Sequence, residues 1–281
     1  MSIPNNIVES LYQKGIDIVS SMPVTGGDIN QARQLTTSDN RQYFIKFNST
    51  EDGASLLQSE LNGVRIFKEE GLPTINCIAH DLKIKTPYLL MDWIETFPRS
   101  KEKLALALYD VHSKTASGFG FDHQGYIGTL VKKAGWRDRF SACYIELRIE
   151  QLLRAAFDKG YKIRVSLDAL EEVIDSEFPI ESPSLIHGDL WSGNLIDSHD
   201  GPVFIDPSVE YSHRELDLAM MRLFGGFSSQ VFELYHDHFP LATGWEDRAD
   251  LLQLYYLLVH LNLFGGAYFD PTRNIIRKYL S

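Results

Sequence analysis

Leu185-Ile186-His187-Gly188-Asp189-Leu190-Trp191-Ser192-Gly193-Asn194-Leu195-Ile196-Asp197-Ser198-His199-Asp200-Gly201-Pro202-Val203-Phe204-Ile205-Asp206 is the stretch from which the fold can be read. His187, Asp189 and Asn194 stand at the spacing of an H-x-D-x-x-x-x-N loop. Asp206 follows a turn and a short apolar run, where a metal-binding carboxylate ends a strand. Phosphoryl transfer needs little covalent help from a protein. It needs alignment, and neutralisation of charge spread over the moving group. One acid, Asp189, would face the attacking hydroxyl and accept its proton. The other, Asp206, would hold Mg²⁺, with Asn194 as a neutral oxygen donor beside it. Taken singly, such residues in a glycine-containing segment are turn formers. Together at this spacing they predict a phosphoryl-transfer site.

Outward from this stretch the chain is of ordinary composition. Its 281 residues suggest two domains or lobes. The longest apolar run, around residues 251–264, is broken by Gln253, His260 and Asn262 and is too short to span a bilayer. The N-terminus has no basic flank followed by an apolar core, so no signal peptide is expected. Cys77 and Cys143 form neither a disulfide framework nor a zinc pattern, and a reduced, cytoplasmic protein is the expectation. The net charge of −11 argues against nucleic acid or an anionic membrane as partner. It is compatible with a cationic small substrate.

Residues 5–18 read as a short amphipathic helix. The Gly26-Gly27 pair between strand-like segments could let backbone N–H groups approach phosphates, or could be a hairpin turn. Residues 41–47 read as a strand with Phe44 and Lys46 on one face and Tyr43, Ile45 and Phe47 on the other. Lys46 suits a phosphate-binding lysine or, alternatively, an edge-strand charge. Residues 54–70 have helical apolar spacing with Glu60 mid-helix, fourteen residues after Lys46, as an ion-pair partner. Tyr88-Leu89-Leu90-Met91-Asp92-Trp93-Ile94 reads as a buried strand running into a linker. Met91, Asp92, Trp93 and Ile94 are then the hinge whose backbone would hold an adenine edge. Everything after about residue 96 looks predominantly helical, with helices over 101–117, 138–159, 214–224 and 251–264. Asp217, in the first turn of one of them, either serves the helix dipole or braces the catalytic loop. The expectation is an α+β, two-lobed protein kinase-like fold. A small β-rich N-lobe (1–94) would bind nucleotide, and a larger, mainly helical C-lobe (95–281) would carry catalysis and the acceptor.

These residues resemble the fructosamine kinase (ketosamine-3-kinase) family, within the wider aminoglycoside-phosphotransferase and choline-kinase-like group. The resemblance runs nearly end to end. Its family-specific strings are His187-Gly188-Asp189-Leu190-Trp191-Ser192-Gly193-Asn194, Leu223-Phe224-Gly225-Gly226-Phe227 and His260-Leu261-Asn262-Leu263-Phe264-Gly265. It implies ATP-dependent phosphorylation of a sugar hydroxyl, typically O3 of a ketosamine, as repair of glycated amines. By the resemblance Asp189 is the base, Asn194 and Asp206 bind Mg²⁺, and Lys46 with Glu60 contacts the nucleotide phosphates. Residues 91–94 form the hinge, Gly26 and Gly27 approach the phosphates, and His187 and Trp191 support the loop or border the sugar. Trp191 could equally be a structural aromatic under the loop. A monomer or weak homodimer is expected.

Two departures matter. Residues 127–136 lack the proline- and asparagine-containing stretch of the family, so the resemblance does not extend to that wall of the acceptor pocket. Asp206-Pro207-Ser208 replaces the Asp-Phe-Gly of protein kinases and no Ala-Pro-Glu follows, which favours small acceptors over docked proteins. The shared core leaves open another small acceptor (an aminoglycoside, a choline-like alcohol or another amino sugar) or a nucleotide-binding protein without catalysis.

Overall fold

The computed structural model describes residues 3–24 and 29–280. Contacts divide the chain into two units: Met1–Arg99 with Leu195–Pro207, and Ser100–Asn194 with Ser208–Ser281. The first begins with α1 (Asn5–Gln13), which buries Ile7 and Leu11. This helix is shorter than the 5–18 expected. The N–H groups of Lys14, Gly15 and Ile16 turn back onto the Leu11 and Tyr12 carbonyls, and β1 (Ile18–Pro23) starts at once. β2 (Gln31–Thr37), β3 (Gln42–Phe47), α2 (Gly53–Glu69), β4 (Cys77–Asp81) and β5 (Tyr88–Asp92) follow. The antiparallel sheet has the order β1-β2-β3-β5-β4.

β3 is therefore the central strand, and Lys46 pairs with Ala32 on one side and Leu89 on the other. An edge-strand role for this lysine is excluded. The strand's alternation sorts its side chains. Tyr43, Ile45 and Phe47 join Ile7, Leu11, Tyr88 and Leu90 in one core. Phe44 joins the other, with Leu57, Leu61 and Val64 of α2 and Ile75, Leu89 and Met91. Burying each of those large side chains contributes about 1.5–3 kcal/mol. That burial holds α2, and Glu60 with it, over the lysine-bearing face.

The second unit opens with α3 (Lys101–His112), capped by the Ser100 hydroxyl, which accepts the Lys103 N–H. The helix ends before the expected residue 117 because the next segment turns extended and pairs with residues 183–185. Then come β6 (Phe119–Phe121), the hairpin β7 (Gly125–Ile127) and β8 (Leu130–Lys132), and β9 (Gly135–Arg137). The helical run expected over 138–159 is α4 (Phe140–Tyr144), a π-helical turn at Ile145–Ile149, and α5 (Glu150–Asp158). α6 (Leu167–Glu177) and β10 (Ser184–Ile186) lead into the Asp189 loop. The hairpin β11 (Leu195–Asp197) and β12 (Pro202–Phe204) belongs to the first unit, where Phe204 bridges to Thr74. β13 (Glu210–Ser212), α7 (Glu215–Leu223), α8 (Ser229–His238), α9 (Trp245–Phe264) and α10 (Phe269–Leu280) complete the second unit.

Its large apolar core gathers side chains from α4, the π-turn, α5, α6, α7 and α9. A four-stranded sheet of order β10-β13-β6-β9 accompanies these helices, so the region beyond residue 96 contains short strands as well as helices. α9 starts six residues ahead of expectation because its first turns are polar and carry no apolar periodicity. Among the described residues no helix is long and apolar enough to cross a membrane. The protein has a two-lobed protein kinase-like α+β fold, with a β-sheet region first and a helical region after it.

Gly63 is where α2 touches the segment that carries Asp206. A Cβ there would stand 2.3 Å from the Pro207 carbonyl oxygen. Gly63→Ala gains about 1 kcal/mol of helix propensity but overpacks this contact, made with backbone, by about 2–3 kcal/mol. Thermal denaturation followed by circular dichroism is expected to show a Tm lowered by roughly 2–6 °C. An unchanged Tm would mean that the contact yields freely.

Candidate active site

Within the first unit, Lys46, Glu60 and Asp206 come together. Lys46 Nζ lies 3.0 Å from Glu60 Oε1 and is also in contact with Asp206 Oδ1. Lys46 and Glu60 are almost fully shielded, whereas the Asp206 side chain keeps 33% of its surface. Burial opposes the charge on Lys46, but the Asp206 and Glu60 carboxylates outweigh it and raise its pKa. Two acids share one ammonium, so burial and the Asp206 charge push Glu60 up to about 8, with Lys46 opposing. Asp206 adopts φ +56°, a left-handed conformation unusual outside glycine.

Residues 91–94, expected as the hinge, lie in the same unit. Met91 is buried in β5 and Asp92 ends the strand, its N–H donating to the Asn76 carbonyl and its carboxylate accepting from Asn76 Nδ2 (2.8 Å). Trp93 and Ile94 follow, half-buried, and Ile94 packs against the Met91 cluster. Gly26 and Gly27 lie outside the described residues.

The second unit holds His187, Asp189, Trp191, Asn194 and Asp217. β10 ends at Ile186, and the loop then hangs from one carboxylate. The His187 N–H donates to Asp217 Oδ2 (2.7 Å) and the Gly188 N–H to Oδ1 (2.8 Å). His112 Nε2 lies 3.3 Å from the same Oδ2, and its Nδ1 is 2.8 Å from the Tyr235 hydroxyl. Arg214 donates to that hydroxyl's oxygen, leaving its proton for Nδ1, so Nε2–H is the proton that faces Asp217. Burial alone would raise the pKa of Asp217. The hydrogen bonds from His112 and Gly188 outweigh it, and the carboxyl is held below its usual range.

Beyond the anchor, the Tyr256 hydroxyl donates to the Gly188 carbonyl (3.2 Å), and His187 Nδ1 accepts the Asp189 N–H (3.3 Å). The chain then closes into a 3₁₀ turn, Ser192–Asn194. Asn194 Nδ2 donates to Asp189 O (2.8 Å) and Oδ2 (3.2 Å), which turns its Oδ1 away from Asp189. Trp191 is 39% exposed, with its ring lying across Gly193.

Sequence reasoning did not single out the charges beneath this loop. Arg148 on the π-turn and Glu210 on β13 form a buried ion pair, and Lys132 Nζ stands 3.9 Å from the same carboxylate. Burial would raise Glu210, yet Arg148 and Lys132 hold it low. The nearby Tyr255 hydroxyl is buried with no hydrogen-bond partner among the described residues. The one available signal was a charged residue inside the apolar helical pattern of 138–159, at Arg148.

The family model for fructosamine kinase matches residues 2–281. A protein of Lactiplantibacillus plantarum named as a probable ketoamine kinase is 37% identical over 274 residues, covering 94% of this chain and 95% of its own. The crystal structure of a candidate fructosamine-3-kinase from Thermobifida fusca superposes with a TM-score of 0.84 at 30% identity, over 99% of each chain. A macrolide 2′-phosphotransferase of Brachybacterium faecium shares the fold alone, with a TM-score of 0.63 at 11% identity.

Asp217→Asn sets an amide nitrogen against one of the backbone N–H groups, and should destabilise the protein by about 3 kcal/mol at neutral pH. It should also lower kcat at least tenfold, by about 1.4 kcal/mol or more of barrier. Because the folded-state pKa of Asp217 is depressed, its stabilisation is present above about pH 4 and lost as pH falls through the folded value. Denaturant melts below pH 4 should therefore show a shallower acid dependence for the variant than for the wild type. Parallel curves would contradict the anchoring role.

Proposed function

The chain belongs to the fructosamine kinase family, and we propose that it phosphorylates a sugar hydroxyl of ketosamines, the adducts of reducing sugars with amines, using ATP and Mg²⁺. It is a phosphotransferase with an alcohol group as acceptor. The observation that carries the finer reading is the loop from His187 to Asn194. It holds a carboxylate and an amide in one fixed turn, hung on a buried acid.

In this reading Asp189 accepts the proton of the attacking hydroxyl. Asn194 Nδ2 steadies that carboxylate and leaves Oδ1 to a cation. Asp206 offers the second oxygen ligand. The donor set is hard oxygen only, one anionic and one neutral, which fits Mg²⁺ completed by phosphates and water. Bound Mg²⁺ supplies neutralisation of the charge that spreads over the transferred group. Lys46, oriented by Glu60, contacts the nucleotide phosphates. Gly26 and Gly27 bring backbone N–H groups to them, and the backbone of Met91, Asp92, Trp93 and Ile94 holds the adenine edge. His187 supports the loop through its Nδ1 contact. Trp191, partly exposed beside Asp189, offers a flat face to the sugar. Residues 1–94 act as the nucleotide-binding lobe and residues 95–281 as the catalytic and acceptor-binding lobe. The partner is a small molecule or glycated amine, in the cytoplasm, met by a monomer or weak homodimer. Nucleic acid and membranes, which the acidic net charge disfavours, are not partners.

A coupled ADP-release screen over fructosyl- and ribulosyl-lysine, aminoglycosides and choline tests the acceptor class. Turnover is expected with ketosamines and Mg²⁺, and chelation should abolish it. Activity on aminoglycosides or choline with none on ketosamines would overturn the reading. Asp189→Ala should lower kcat by roughly 10²–10⁴-fold, the usual weight of a general base, while nucleotide Kd changes little.

A further inference from the structure

Lys132 ends β8 and is 4% exposed. Its ammonium donates to the Ser208 carbonyl and to Ser208 Oγ (3.1 Å). Ser208 Oγ in turn donates to the Tyr126 carbonyl on β7 (2.7 Å). The β7–β8 hairpin therefore grips Ser208 through both its carbonyl and its hydroxyl. Gly188, at φ +79°, approaches the same carbonyl: a Cβ there would stand 2.1 Å from Ser208 O and 3.4 Å from Lys132 Nζ. Lys132 and Gly188 thus converge on the one Ser208 carbonyl, one residue before Asp189.

We propose that Lys132 is a positioning residue for the catalytic loop: its buried ammonium pins the Ser208 carbonyl on which Gly188 rests, and so fixes where Asp189 stands. The proposal rests on the phosphotransfer reading above. Charge supports it. Glu210, the acid nearest to Lys132, is already gripped by Arg148, so two buried cations share one carboxylate. Asp189 and Asp217 attract the same ammonium more weakly than Glu210 does. Burial pushes the Lys132 ammonium down to about 8, so the fold holds this charge at a cost. Buried ions retained at a cost are poor stabilisers, and a methionine of similar volume would suit the cavity better. A residue kept for stability would behave in the opposite way.

The full-length protein with Lys132→Met and Lys132→Gln decides the matter through kcat, KM for ATP and Tm. Lys132→Met is expected to lower kcat about thirtyfold, to leave KM for ATP within about twofold, and to melt at or above the wild-type temperature. Lys132→Gln keeps a donor for the Ser208 carbonyl and should lose only about three- to tenfold in kcat. Wild-type kcat in Lys132→Met would overturn the proposal. So would kcat and Tm falling together without recovery by glutamine, which marks a merely structural residue. Should the methionine variant fail to fold, Lys132→Gln alone decides: lowered kcat at unchanged KM and Tm supports the proposal, and wild-type kcat sinks it. If the wild type hydrolyses ATP but leaves every ketosamine untouched, the acceptor reading falls, and the same ratios on basal ATP hydrolysis still test Lys132. If it does neither, both ideas fall.

Discussion

One carboxylate receives two consecutive backbone N–H groups at the point where β10 stops and the Asp189 loop begins. Asp217 is fully buried, and a buried carboxylate is tolerated only when its oxygens are satisfied. His187 and Gly188 satisfy them, with His112 as a third neighbour. The requirement works in both directions. The acid cannot be left unpaired, and the two N–H groups have no strand partner once β10 ends, so the chain must leave the sheet in a single direction. Asp189, Trp191 and Asn194 inherit their positions from that exit. The anchor is itself held by α7, whose Glu215 pairs with Arg248 of α9.

Two buried lysines show how partners decide what a charge is for. Lys46 meets two carboxylates, and its pKa is raised. It is a cation that will persist at any working pH, suited to phosphates. Lys132 meets one carboxylate already shared with an arginine, and burial lowers it. It has carbonyl and hydroxyl acceptors instead, which suits holding backbone in place. The same residue type does unlike work because the surrounding charge differs.

The parts of the site legible in the sequence were the parts encoded locally. His187, Asp189 and Asn194 lie within eight residues, so their spacing alone carries a geometry. Lys46 and Glu60 could be matched because a strand and a helix each advertise their own period. The central place of β3 could not be read, since strand order depends on β5 pairing from 41 to 49 residues away. The short strands β6 to β10 and β13 have three residues each, too few for alternation to register. Sequence reasoning missed α8, and also α6 and α10, whose apolar periodicity is as marked as that of the helices it found; the beginning of α9 is polar. The cluster of Lys132, Arg148 and Glu210 is joined across 62 to 78 positions, and no spacing rule links residues so far apart.

What remains central is the destination of the phosphoryl group. Phosphorus–proton correlation NMR on the product formed from ATP, Mg²⁺ and fructosyl-lysine reads it directly. A single phosphate signal correlated to the proton on carbon 3 of the sugar is the predicted result. Inorganic phosphate alone, with the ketosamine recovered unchanged, would contradict it.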